Sequence, residues 1–459
     1  MKALKSVLIS GREVHPIIEG GKGVAVSNGK SAGAFAAAGC VGTFSGVNAD
    51  AYDCDGHPIP QTYLGKTRKE RFEELISYAI EGGLAQARIA YEGSNGEGRI
   101  HMNTLWEAGG TERVIQGILE GAKGLIHGIT CGAGMPYKMA ELATHYNVYY
   151  YPIVSSMRAF RALWKRSYQK HKALLGGIVY EDPWKAGGHN GLSNAERHDQ
   201  PQDPYPRVAE IRAFMNEVGL NDVPVIMAGG VWYLRDWEQW IDNPEIGPVA
   251  FQFGSRPLLT AESPIPDQWK MRLINLEEGD ISLNKYSPTG FYSSQLNNSF
   301  LKELGERAER QVRYSRTPEG DLVGEIKVGA RGRAIYVAQE DVAKVTSWIE
   351  SGFTEAMRTP DETMIFVTPE RARTIVSDQA GCMGCLSACA FSNWADNEEN
   401  TTGRLADPRS FCIQKTLQDI AHGGSVDDNL AFAGHNAFKF ANDPVFQPVR
   451  EGRFPSVNT

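Results

Sequence analysis

The chain has 459 residues, 42% of them hydrophobic and 22% charged, an ordinary globular composition with room for two domains or one large domain and an extension. Its 55 acidic and 47 basic residues leave a net charge of −8, and Lys and Arg are scattered rather than gathered in a stripe, which argues against a nucleic-acid partner. The N-terminal MKALKSVLIS holds only a short apolar run and no stretch reaches the length of a membrane span, so neither a secretory signal nor a span is expected and the protein reads as cytoplasmic.

From the N-terminus, eight short apolar runs alternate with longer amphipathic stretches. The runs are PIIEG (16–20), GCVGTF (39–44), RIHMNTL (99–105), GLIHGIT (124–130), NVYYYPIV (147–154), LLGGIVY (174–180), VPVIMAG (223–229) and GPVAFQFG (247–254). Continuous apolar runs suit parallel strands buried on both faces, and intervals such as KERFEELISYAIEGGLAQARIAY suit crossover helices. Eight such units predict a TIM (β/α)8 barrel, and no strand leads into G-x-G-x-x-G to open a dinucleotide fold instead.

The barrel gives EDPWKAGGHNG (181–191) a place, the loop leaving strand six at the C-terminal face, where barrel enzymes gather catalytic groups. His189 becomes a candidate functional residue rather than a solvated loop histidine; an unperturbed imidazole titrates near neutrality and suits acid–base work. After strands seven and eight come AGGVW (228–232) and FGSRPLL (253–259), whose glycines leave backbone open to a phosphate. The loops at 45–66 and 181–203 are long and polar, and read as substrate lids or as interface segments of a homo-oligomer.

PIIEGGKG, AAAGCVGTFSG, GAGMP, KAGGHNG, PVIMAGG and FGSRPLLTAES, in this order over about residues 10–300, resemble the nitronate monooxygenase (2-nitropropane dioxygenase) family. The resemblance implies an FMN-binding barrel acting on a small-molecule substrate, a nitronate or activated carbonyl, with relatives among flavin-dependent enoyl reductases and quinone reductases. It implies that Gly229, Gly230, Gly254 and Ser255 hold the FMN phosphate, that Gly20 and Gly21 approach the ring, and that Asn103 contacts the cofactor. Gly188 belongs to the same cofactor-facing loop, and His189 matches the family's active-site histidine, a base or orienting group. The chain departs from the family at Lys22, where many relatives carry methionine, and at Lys185, where an acidic residue often precedes the AGGH run. These lysines either place positive charge near the flavin or are solvated.

Beyond residue 300, stretches such as EIKVGARGRAIYVAQEDVAKVTSWIESGF suggest a small α/β extension, so residues 1–300 are expected to form the FMN barrel and 301–459 the extension. The extension carries GCMGCLSAC, in which Cys382, Cys385 and Cys389 have C-x2-C-x3-C spacing, with Cys412 following. Four soft thiolates form a full ligand set for zinc or for a 4Fe–4S cluster, and three close cysteines with a distant fourth favour the cluster. CMGCLSAC also resembles the cluster motif of 2,4-dienoyl-CoA reductase and trimethylamine dehydrogenase, although there the fourth cysteine follows sooner and a nucleotide-binding domain is present. Three functions therefore stay open: a monooxygenase; an FMN/4Fe–4S reductase exchanging electrons with ferredoxin, quinone or NAD(P)H; and a non-catalytic redox sensor.

Overall fold

A computed structural model describes residues 2–392 and 405–458. All eight apolar runs become strands: β1 Ile17–Glu19, β2 Val41–Ser45, β3 Arg99–Leu105, β4 Gly128–Gly132, β5 Tyr149–Val154, β6 Ile178–Glu181, β7 Val225–Ala228 and β8 Val249–Phe253. They close, each parallel to its neighbours, in the order β7-β8-β1-β2-β3-β4-β5-β6, which is a TIM barrel. Alternation explains why the runs are apolar throughout. Ile18, Val41, Tyr151, Val179, Ile226 and Ala250 fill the barrel interior, while Phe44, Met102, Ile129, Tyr180 and Phe251 join the core under the helices.

Helices Gly29–Ala37, Arg68–Gly93, Thr111–Gly121, Met139–Tyr146, Met157–Arg166 and Pro204–Glu217 follow the first six strands. Thr67 and Glu70 form a reciprocal capping box that starts the longest of them. Short 3-10 turns, Leu234–Trp240 and Arg256–Leu259, follow β7 and β8. An N-terminal hairpin, Val7–Ile9 with Arg12–Val14, plugs the N-terminal end by adding Ile9 and Val14 to the interior cluster.

Past the barrel, strand Ser293–Leu296 pairs on one side with Ile281–Asn284 and on the other with Gly188–His189, so the loop after β6 is fixed from both ends. A small α/β unit follows, with a sheet of Gln311–Arg313, Thr363–Val367 and Glu355–Arg358, a hairpin, and a core of its own around Val337 and Phe366. The chain then returns to the barrel mouth. Phe440, Phe446 and Val449 pack with Trp232, Leu258 and Trp269, each buried side chain stabilising the contact by roughly 1.5–3 kcal/mol. Buried Asp443 accepts a hydrogen bond from Trp232 Nε1 at 3.0 Å and pairs with Arg256 at 3.2 Å. Among the described residues no helix is long and apolar enough to cross a membrane.

Candidate active site

A cavity of about 230 Å³ opens at the C-terminal ends of the strands. Gly20, Gly21, Asn103, Gly188, His189, Gly229, Gly230, Gly254 and Ser255 all line it. Gly229 and Gly230 have φ of 84° and 77°, the left-handed region that side chains avoid, which is why the turn leaving β7 needs two glycines. At Gly21 a Cβ would lie 2.1 Å from Asn103 Cβ, so only glycine lets β1 continue past β3 here. Asn103 is fixed by Thr130 Oγ1, which donates to its Oδ1 at 3.0 Å.

Several features suit an anionic, carbonyl-rich ligand such as FMN. A Cβ on Gly254 would meet nothing within 4 Å, so this loop faces open space. In the same wall, Trp269 Nε1 and Gln414 Nε2 are buried donors without a hydrogen-bond partner among the described residues.

His189 Nε2 lies 2.6 Å from Ser287 Oγ, which is 2.9 Å from Thr289 Oγ1, and the imidazole meets Phe432 edge to face at 5.4 Å. Burial pushes its pKa down to about 4, so the near-neutral titration expected of an ordinary histidine does not apply here and the ring is neutral at pH 7. Lys22 is not a solvated lysine: its Nζ pairs with buried Glu19 at 3.2 Å and donates to Gly20 O at 2.8 Å, at the cavity wall. Lys185 also lines the cavity.

Two parts of the site escaped sequence reasoning. Glu181, the last residue of β6, faces the cavity, and burial, reinforced by the neighbouring Asp182, raises its pKa to about 8. At the end of an apolar run it had read as the start of a loop. The second is the tail around Phe432–Ala437, which crosses both glycine loops: Gly434 N–H donates to Ser255 Oγ at 2.7 Å, Asn436 Nδ2 to Gly230 O at 2.6 Å, and His435 N–H to Lys185 O at 3.1 Å. The one available signal was a second Gly-His-Asn at 434–436, repeating residues 188–190.

The four late cysteines come together beside this cavity. Burial first and the neighbouring thiols second raise the pKa of Cys385, Cys389 and Cys412, the last to about 12. Cys385 lines the cavity itself, and its carbonyl accepts from Gly109 N–H at 3.0 Å, while Arg71 Nε donates to Cys382 O at 2.9 Å. All four are free thiols, and no three of the sulfurs lie within 4.8 Å of one another.

The site is thus a ligand cavity at the mouth of a parallel eight-stranded barrel, ringed by glycine loops and a histidine. The sequence profile described as nitronate monooxygenase matches residues 106–374, more than half of the chain, and the protein belongs to that family. Among solved structures, FabK from Thermotoga maritima is similar at 18% identity, covering 64% of this chain and 74% of that one, with a TM-score of 0.42. The nitroalkane oxidase from Streptomyces ansochromogenes is similar at 16% identity over 63% and 79%, with a TM-score of 0.44. The enoyl reductase domain of MlnA from Bacillus amyloliquefaciens is similar at 12% identity over 93% of each chain, with a TM-score of 0.41. No curated protein matches the chain.

Proposed function

We propose that the protein binds FMN across the barrel mouth and oxidises a small nitronate or an activated carbonyl compound, with His189 facing the substrate. The observation that carries this reading is convergence: the glycine loops, Asn103 and His189 come from β1, β3, β6, β7 and β8 and line one cavity. Gly229, Gly230, Gly254 and Ser255 would hold the phosphate, and Gly20, Gly21, Asn103 and Gly188 the ring. FMN, when bound, supplies the acceptor for the electron pair leaving the substrate. Val24, Val47, Leu105, Ile153 and Phe291 add apolar wall to the cavity, which suits the hydrocarbon part of a small substrate. A neutral imidazole keeps one nitrogen free of hydrogen and able to take a proton from the carbon beside the carbonyl of an activated carbonyl substrate, and Ser287 fixes the ring's orientation.

A second reading is favoured by the position of Cys385 in the cavity wall. Residues 1–300 would form the FMN barrel, and the extension, 301–459, would hold a 4Fe–4S cluster on Cys382, Cys385, Cys389 and Cys412. Tetrahedral zinc, with Zn–S of about 2.3 Å, draws its sulfurs to roughly 3.8 Å apart, closer than any three of these are. A cube, with ligands at its corners, takes a wider set. The protein would then act as a reductase exchanging electrons with ferredoxin, a quinone or NAD(P)H.

Anaerobic purification followed by a visible spectrum and flavin and iron analysis tests both readings. About one FMN per chain with rapid oxygen uptake on alkyl nitronates is expected from the first, and about four irons per chain in addition from the second. Protein that neither contains nor takes up flavin would overturn both. Tightly bound zinc without iron would remove the second, and a Cys385→Ser variant should lose iron and reduction by an external carrier while keeping FMN.

A further inference from the structure

The residues proposed to hold the FMN phosphate carry no positive charge. A phosphate monoester has about −1.5 to −2 charges at pH 7, and Gly229, Gly230, Gly254 and Ser255 offer it only backbone N–H groups and one hydroxyl. Taking that charge out of water without a cation beside it is costly. The lysine lining the cavity from β1, Lys22, is paired with Glu19 at 3.2 Å, and Arg256, next to Ser255, is paired with buried Asp443 at 3.2 Å. Lys185 also lines the cavity, but its ammonium makes no hydrogen bond or ion pair among the described residues. Its stem lies against the loop after β7, since a Cβ on Gly230 would stand 2.7 Å from Lys185 Cδ. The same loop is bordered by an acid: a Cβ on Gly229 would stand 3.0 Å from Asp182 Cβ. The Lys185 charge acts on Asp182 through space, so it also offsets the carboxylate that would repel an anion here. The tail fixes this lysine in place. His435 N–H donates to Lys185 O at 3.1 Å and Gly434 N–H to Ser255 Oγ at 2.7 Å, which ties Lys185 to the loop after β8.

We propose that Lys185 binds the phosphate of FMN, its ammonium donating to the phosphate oxygens, and that residues 434–436 of the tail hold Lys185 and Ser255 at that group. This rests on the assignment of FMN to the cavity and of its phosphate to the glycine loops. Because Ser255 Oγ accepts from Gly434, its own O–H stays available to donate to the same anion. The contact is a property of this chain, since the position before the AGGH run is one where relatives often carry an acid. It also gives the C-terminal extension a part in the cofactor site, through backbone groups that fix the cation and the hydroxyl together.

The test is titration of full-length apoprotein with FMN and with riboflavin, which lacks the phosphate, followed by quenching of flavin fluorescence, for wild type, K185M and K185E. K185M keeps the stem and removes the charge. It should bind FMN about 10- to 100-fold more weakly, the scale of a charge-assisted hydrogen bond, and riboflavin as tightly as wild type does, which also reports an intact fold. K185E, with the charge reversed, should weaken FMN further and again spare riboflavin. Equal weakening of both flavins, or FMN affinities that do not follow the order of charge, would overturn the inference while leaving FMN in the cavity. Unchanged FMN affinity in K185M with a raised KM for an anionic substrate would overturn it too, by giving the lysine to the substrate. Wild type that binds neither flavin would overturn both the inference and the FMN assignment.

Discussion

The two ends of the barrel hold nearly the same chemistry and put it to different use. At the plugged end, His101 points inward from β3, its Nε2 2.9 Å from Ser10 Oγ and its ring 4.5 Å from that of Tyr151, and burial pushes its pKa down to about 3. At the open end, His189 has Ser287 at 2.6 Å, an aromatic neighbour and a pKa of about 4. A serine-bonded histidine with a depressed pKa is thus common to both, His101 buried and His189 partly exposed. Only His189 borders the cavity. Access to the cavity separates the two histidines, and desolvation by itself does not.

The largest effect should come from filling the open end. Gly254→Phe places a ring where a Cβ meets no neighbour, so the fold should accept it while the cavity closes. Flavin per chain should drop to near zero with an unchanged far-ultraviolet circular dichroism spectrum. Full flavin content in that variant would take the phosphate away from this loop.

Exchanging the two histidines' fates is the next test. His189→Ala should retain flavin and lose about 10²–10⁴-fold in turnover per bound flavin. His101→Ala should keep turnover per folded molecule but lose about 2–4 kcal/mol of stability in urea, because Ser10 Oγ loses a hydrogen-bond partner, Tyr151 loses a ring contact and a void opens inside the barrel. A His101 variant that is stable but inactive would reverse the comparison.

The smallest effect is in the pH dependence. Both histidines have folded-state pKa values below the unfolded value of about 6.5, so the stability they contribute is present above that pH. It is lost as pH falls towards 4 for His189 and 3 for His101, because the unfolded chain takes up protons first. Imidazole nuclear magnetic resonance shifts of both should therefore remain those of a neutral ring at pH 5.5. A titration of His189 centred near 6.5 would mean that its site is wet.

The barrel was legible because strands buried on both faces are mostly apolar; Val225–Ala228 is apolar and buried throughout. The glycine loop after β7 was legible for a backbone reason, since Gly229 and Gly230 adopt angles that other residues resist. Glu181 was not, because the same residue type is an exposed carboxylate on a loop and a neutral acid on a cavity floor, and only its surroundings decide which. The family likeness found in the sequence stopped near residue 300, whereas the family profile runs to residue 374.

By itself, then, the sequence determined the eight strands, the glycine loops and the presence of a four-thiol set, each a property of a short window in which chain geometry restricts residue type. Tertiary structure decided the rest: that Cys385 enters the wall of the cavity at the barrel mouth, that the tail lies over Gly230 and Ser255, and that His189 is held neutral against Ser287. Those contacts join residues 98 to 206 positions apart. Their energies come from burial and hydrogen-bond pairing between segments that carry no local signature of one another, so they exist only once the barrel has brought its mouth and its C-terminal tail together.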